Sequence, residues 1–225
     1  MKQELFALSV PAKISRNLGH VELLELAVRR GEGRLASSGA FSVETGVHTG
    51  RSVQDKFVVR DANTDPNIWW DNNKPMSPEH FDVLYKDFLA HASKLELFVE
   101  DLYAGADANH RLNARIFTEY AWHAAFIRHL LRRPAASELT GFAPQFTVVS
   151  LPSFRADPAR HGCRSETVIA CDFTRRLVLI GGTSYAGEIK KSVFSLFNFH
   201  APLNGVLPMH CSANIDAEGN TALFF

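Results

Sequence analysis

Residues 177–192 read Leu-Val-Leu-Ile-Gly-Gly-Thr-Ser-Tyr-Ala-Gly-Glu-Ile-Lys-Lys-Ser, and this stretch decides the fold. The apolar run is a short strand, the glycines make a loop after it, and a helix begins near Glu188. Gly182 and Gly187 have the spacing of a phosphate-gripping G-x-x-x-x-G-K-[ST] loop, but Glu188 stands where the lysine should be. A carboxylate there would repel the anion. The positive charges come later, as Lys190 and Lys191 in the first turn of the helix, where cations work against the dipole and disfavour each other. Either they are two solvated lysines, or partial burial leaves one as a neutral amine able to ligate a metal or exchange a proton.

Outward from this stretch the chain is strand-rich. FTVVSLP, ETVIACDF and RRLVLIGG are β-type runs; after the glycine stretch come a helix through about Phe199, a strand over VLPMHCSANI, and a DAEGN turn into TALFF. The first half mixes both types. A helix over residues 20–30 is stopped by Gly31, and FSVETGVHTGRSVQDKFVVRD reads as strand, glycine loop, strand. A better marked helix starts with Ser77 as N-cap and Pro78 at the first position, with Phe81, Leu84, Tyr85, Phe88 and Leu89 on one face. LELFVEDL reads as a strand. From about Asn113 to Arg133, Ile116, Phe117, Tyr120, Ala124, Ile127 and Leu131 predict one amphipathic helix ended by Pro134. Its last turn gathers Arg128, His129, Arg132 and Arg133, which suit either the helix C-terminus or an anion. The fold class is α/β, a mixed sheet with flanking helices.

At 225 residues with 46% apolar composition and 17 Phe the chain can bury a sizeable core. The 24 basic residues balance the 24 acidic ones, so no global field draws it to nucleic acid or an anionic membrane. The N-terminal MKQELFALSVPAKIS lacks the apolar core of a signal peptide, and no later run is long enough to span a membrane. Cys163, Cys171 and Cys211 lack metal-type spacing and fit free thiols in a reducing cytoplasm. The terminal Ala222-Leu223-Phe224-Phe225 stops in mid-strand, which leads us to expect a cut chain whose open sheet edge would make it poorly soluble.

Two further places combine permissive backbone with reactive side chains. Gly46-Val47-His48-Thr49-Gly50-Arg51-Ser52 presents Arg51, whose planar fork suits a carboxylate or phosphate, or a structural ion pair. Met209-His210-Cys211-Ser212-Ala213-Asn214 offers His210 as a ligand if other groups join it.

Taken together, HTGRSVQDKFVVRD, NKPMSPEHFDVLY, LFVEDLYAGAD, RIFTEYAWHAAF, LIGGTSYAGEIKKSVFSLFN and MHCSANI resemble the ATP-dependent phosphoenolpyruvate carboxykinase family, from about Leu23 to Phe225. The resemblance implies a carboxykinase N-terminal, substrate-binding domain over residues 1–205 and the start of a nucleotide-binding domain over 206–225. It also answers the question posed by Glu188: in the family this segment is the floor of the substrate and metal site, and the true nucleotide loop follows a strand equivalent to TALFF.

The activity so implied converts oxaloacetate and ATP to phosphoenolpyruvate, CO2 and ADP in gluconeogenesis. Arg51 matches the family's substrate-binding arginine and Tyr185 a tyrosine near the substrate and the departing CO2. Lys190 matches a lysine supporting phosphoryl transfer, while Lys191 and His210 match ligands of an active-site Mn²⁺ that also approach the ATP γ-phosphate. Nitrogen donors fit Mn²⁺ better than Mg²⁺, which would arrive with ATP. The full-length protein is expected to be a cytoplasmic monomer, and this chain alone an incomplete enzyme. Two rivals stay open: a non-catalytic dicarboxylate-binding module using Arg51 and Tyr185, and a degenerate nucleotide loop in an unrelated α/β protein, against which Glu188 argues.

Overall fold

A computed structural model describes residues 13–225; the first twelve residues, within the stretch read as lacking a signal peptide, lie outside it. In chain order the first half comprises β1 (Lys13–Arg16), α1 (His20–Arg29), β2 (Arg34–Leu35), β3 (Phe41–Ser42), β4 (Lys56–Val59), β5 (Pro75–Met76), α2 (Pro78–Ala92), β6 (Glu96–Ala104), β7 (Leu112–Thr118) and α3 (Ala121–Leu130). The second half comprises α4 (Ala136–Leu139), β8 (Phe146–Leu151), α5 (Pro158–His161), β9 (Val168–Asp172), β10 (Leu177–Gly181), α6 (Gly187–His200), β11 (Ser212–Ile215) and β12 (Thr221–Phe224).

Eight strands form one mixed sheet in the order β1-β6-β7-β8-β10-β9-β4-β5. Strands β7, β8 and β10 are parallel, and β9 pairs antiparallel with β10. Because side chains alternate along a strand, each central strand feeds two cores. Val149, Leu151 and Leu179 pack with Phe81, Leu84 and Phe88 of α2, whereas Val148, Val178 and Ile180 pack on the other face with Ile189, Val193 and Leu196 of α6. Each of these buried side chains contributes roughly 1.5–3 kcal/mol through removal from water. Helix α2 starts as its sequence dictates: the Ser77 side chain accepts the His80 N–H, Pro78 sits in the first turn, and Tyr85 and Leu89 are half-buried beside the core positions.

Two expectations fail. Residues 113–133 are not one helix: β7 occupies Leu112–Thr118 between antiparallel β6 and parallel β8, and α3 begins only at Ala121. Ile116 and Phe117 are both buried because this strand is covered on both faces, and two adjacent apolar residues before Tyr120 and Ala124 imitate a helical period. Leu131 has extended backbone, so the helix ends ahead of Arg132, whose backbone pairs with Tyr103. Residues 206–215 are not one strand either. Only Ser212–Ile215 are paired, in a separate two-stranded sheet with β12, and Pro208 and His210 lie in the irregular segment before it.

The basic cluster at the end of α3 disperses: Arg128 donates to the buried Glu100 carboxylate at 2.6 Å, and His129 meets His20. All three cysteines are free. Among the described residues no helix is long and apolar enough to cross a membrane.

Candidate functional site

The glycine loop leaves β10 beside the carboxyl end of parallel β8, the edge at which open α/β sheets hold ligands. Its glycines have steric reasons of their own. Gly182 has φ of +75°, and a Cβ there would lie 2.6 Å from the Glu166 carbonyl oxygen. A Cβ on Gly187 would fall 2.5 Å from the Tyr185 ring. The loop carbonyls are held by fixed donors. Gly182 O accepts from Thr167 Oγ1 and from Arg155 Nη1, each at 3.1 Å, and Ser184 O accepts from His123 Nε2 at 2.9 Å. His123 is fully buried, and loss of hydration pulls its pKa down to about 4, so the ring is neutral with its proton on Nε2.

Glu188 does not face an anion. Its buried carboxylate accepts the Ser52 backbone N–H at 2.9 Å, which joins the lysine loop to the Arg51 loop. Burial raises its pKa, opposed by that hydrogen bond and by the nearby charges of Arg51 and Lys56. Arg51, Lys56, Glu188, Lys191 and Ser192 line a cavity of about 30 Å³. The result is an electropositive floor with one internal carboxylate. Lys56 hydrogen-bonds Ser195 on α6, and Lys190 is exposed on the same helix.

Lys191 Nζ lies 2.7 Å from His210 Nε2. Desolvation, then the charges of Lys190, Arg51 and Lys56, lower the Lys191 pKa, the direction that favours a neutral amine. Two nitrogens at this distance approach the roughly 3 Å between cis donors of an ion with bonds of about 2.1 Å. The pair therefore fits the nitrogen donors of a transition-metal site. Among the described residues no group of three His, Cys, Asp or Glu side chains gathers to complete one.

Arg51 and Lys191 share one small cavity and His210 meets Lys191, whereas Tyr185 lines a different, largely apolar cleft of about 470 Å³ with Leu24, Phe41, Trp122 and Phe126. Sequence reasoning missed Lys56, His123 and Thr167, and treated Glu188 only as a repelling charge. Lys56 stands inside the HTGRSVQDKFVVRD motif with nothing to single it out, and Thr167 directly precedes β9 with no motif around it. His123 had one faint signal, a single polar residue in the apolar run Ala121–Phe126.

Compared with known protein families, residues 12–225 match phosphoenolpyruvate carboxykinase. The chain belongs to this family. It is 61% identical over 214 residues to the phosphoenolpyruvate carboxykinase (ATP) of Rhizobium johnstonii, a match covering 95% of this chain and 40% of the relative. The corresponding protein of Azorhizobium caulinodans is 58% identical, over 99% of this chain and 41% of the relative. That of Brucella suis is 60% identical, over 93% and 39%. The chain spans about two-fifths of the length of these carboxykinases.

Proposed function

We propose that the protein containing this chain is an ATP-dependent phosphoenolpyruvate carboxykinase, and that these residues supply the substrate and metal side of its active site. The observation that carries the reading is the meeting of Lys191 Nζ and His210 Nε2 at 2.7 Å beside Arg51 and Lys56. In the reaction the bond from oxaloacetate C3 to its terminal carboxylate breaks and CO2 leaves. The electron pair becomes an enolate, whose oxygen attacks the γ-phosphorus of ATP and releases ADP.

The chain's own groups match the charges this sequence creates. Arg51 grips a substrate carboxylate with a planar fork, which orients the scissile bond. Lys56 and Lys190 hold positive potential where the enolate and the transferring phosphoryl group carry negative charge. The nitrogens of Lys191 and His210 would hold Mn²⁺, which when bound supplies Lewis-acid stabilisation of the enolate oxygen. Tyr185, which lines the apolar cleft, takes the side from which CO2 departs. ATP, arriving with Mg²⁺, would bring its γ-phosphate towards Lys191 and His210.

The test is ATP-dependent oxaloacetate turnover by the complete protein, beside Lys191→Met and His210→Ala. Turnover that needs Mn²⁺ and falls at least a hundredfold in both variants supports the reading. Undiminished turnover in either removes it. The isolated chain is expected to show none.

A second reading is favoured by the presence of Arg51, Lys56 and Lys191 around one small cavity: the isolated chain binds small dicarboxylates without nucleotide. Oxalate binding by the isolated chain that disappears in Arg51→Ala would support it.

A further inference from the structure

Besides Glu188, a second connection joins the Arg51 loop to the lysine loop, and at Thr167 its direction is fixed by chemistry. The Gly182 carbonyl can only accept, so Thr167 Oγ1, at 3.1 Å, donates to it. With that proton committed, Thr167 Oγ1 accepts from His48 Nε2, 2.9 Å away. His48 therefore donates from Nε2, and its Nδ1 lies 3.0 Å from Ser52 Oγ, within hydrogen-bond distance. Donation runs from His48 through Thr167 to Gly182, and Ser52 Oγ joins the chain at the other ring nitrogen of His48. Ser52 and Thr167 are 8% and 4% exposed, so water competes little for these bonds.

Ser52 directly follows Arg51, and its N–H is the donor to Glu188. Arg51 is exposed, and among the described residues its guanidinium makes no hydrogen bond or ion pair of its own. Its aim is therefore set by how its loop is held.

We propose that His48 is a positioning residue for Arg51: its bridge from Ser52 to Thr167 keeps the arginine loop in register with the lysine loop and so forms the dicarboxylate site. The inference rests on the assignment of Arg51 to a substrate carboxylate. A carboxylate held by a fork loses most of its advantage when the fork is displaced by an ångström. Removing the bridge would thus weaken carboxylate binding without touching the Lys191 and His210 nitrogens.

The test uses the complete protein, with oxalate as probe in calorimetric titrations without metal, and with Mn²⁺ affinity and melting temperature measured separately. His48→Leu should weaken oxalate roughly tenfold, about the net loss expected for one hydrogen bond, and leave Mn²⁺ affinity within about twofold. His48→Gln, whose amide N–H can still reach Thr167, should recover part of the loss. The double variant His48→Leu/Thr167→Val should bind no more weakly than His48→Leu, because both act in one chain of bonds. Oxalate affinity within about twofold of wild type in a folded His48→Leu protein overturns the proposal, as do losses that multiply in the double variant. Should His48→Leu not fold, Thr167→Val and Ser52→Ala carry the same expectation and the same refutation. Arg51→Ala separates the two levels. If oxalate binds it as tightly as wild type, the carboxylate assignment fails and the proposal with it. If Arg51→Ala abolishes binding while the His48 and Thr167 variants change nothing, the positioning role alone fails.

Discussion

Glu188 Oε1 accepts the backbone N–H of Ser52 at 2.9 Å, a contact between residues 136 positions apart that joins the two glycine loops. It explains why the segment resembles a nucleotide loop in spacing and departs from it in charge. Glu188→Ala should cost about 1.5–3 kcal/mol, since it leaves a buried N–H unpaired, whereas Glu188→Gln, which keeps an acceptor oxygen, should cost less. Glu188→Lys completes the G-x-x-x-x-G-K pattern but places a fourth cation beside Arg51, Lys56 and Lys191. We expect a lower melting temperature and no gain in ATP affinity; a gain would show that the loop is a latent phosphate cradle.

Gly182→Ala combines a left-handed backbone with a Cβ 2.6 Å from the Glu166 carbonyl. The left-handed conformation alone costs about 1–2 kcal/mol, and the clash adds to it. A variant with an unchanged melting temperature would mean that the loop can rearrange.

His123 predicts a pH dependence of stability. Unfolded histidine takes up a proton near pH 6.5, while the buried ring resists until about pH 4. Between those values the unfolded chain binds more protons, so stability is fully present above pH 6.5 and is lost as pH falls towards 4. The loss reaches about 3 kcal/mol when the window is integrated. It should appear as the difference in melting temperature between wild type and His123→Gln across that range. Parallel curves for the two proteins would contradict it.

Lys191→Met and His210→Ala should each weaken Mn²⁺ binding to the complete protein by at least about tenfold, as read from the electron paramagnetic resonance of free Mn²⁺; even loss of a ligand's supporting hydrogen bond costs 10- to 100-fold. Equal affinity in either variant would remove that residue from the metal site.

Arg51→Lys keeps the charge and discards the fork. If Arg51 grips a carboxylate in bidentate fashion, the lysine should recover little of the oxalate affinity lost in Arg51→Ala. Full recovery would reduce its role to that of a point charge.

Much of the fold was legible because its signals are local. Ser77, Pro78 and the apolar spacing of α2 state a start and a buried face within one short span, and the LVLI run with its glycines places β10 and the helix after it. The span 113–133 was not legible, since a strand buried on both faces carries no alternation and Ile116 and Phe117 merge with the period of α3. In the candidate site, Arg51, Lys191 and His210 were found through the resemblance their motifs carry. Glu188, His48 and Thr167 act through contacts across more than a hundred residues, and no spacing rule reports those.

The Lys191–His210 pair joins two unlike parts of the chain. Lys191 is rooted in α6, whose apolar side packs on the main sheet, while His210 leads into the β11–β12 hairpin, whose residues are all exposed. An ion gripped by both nitrogens would act as a clasp, its measured affinity including the work of keeping the hairpin against the body. Whatever braces the hairpin would then tighten the ion, and the ion would reciprocate by the same factor.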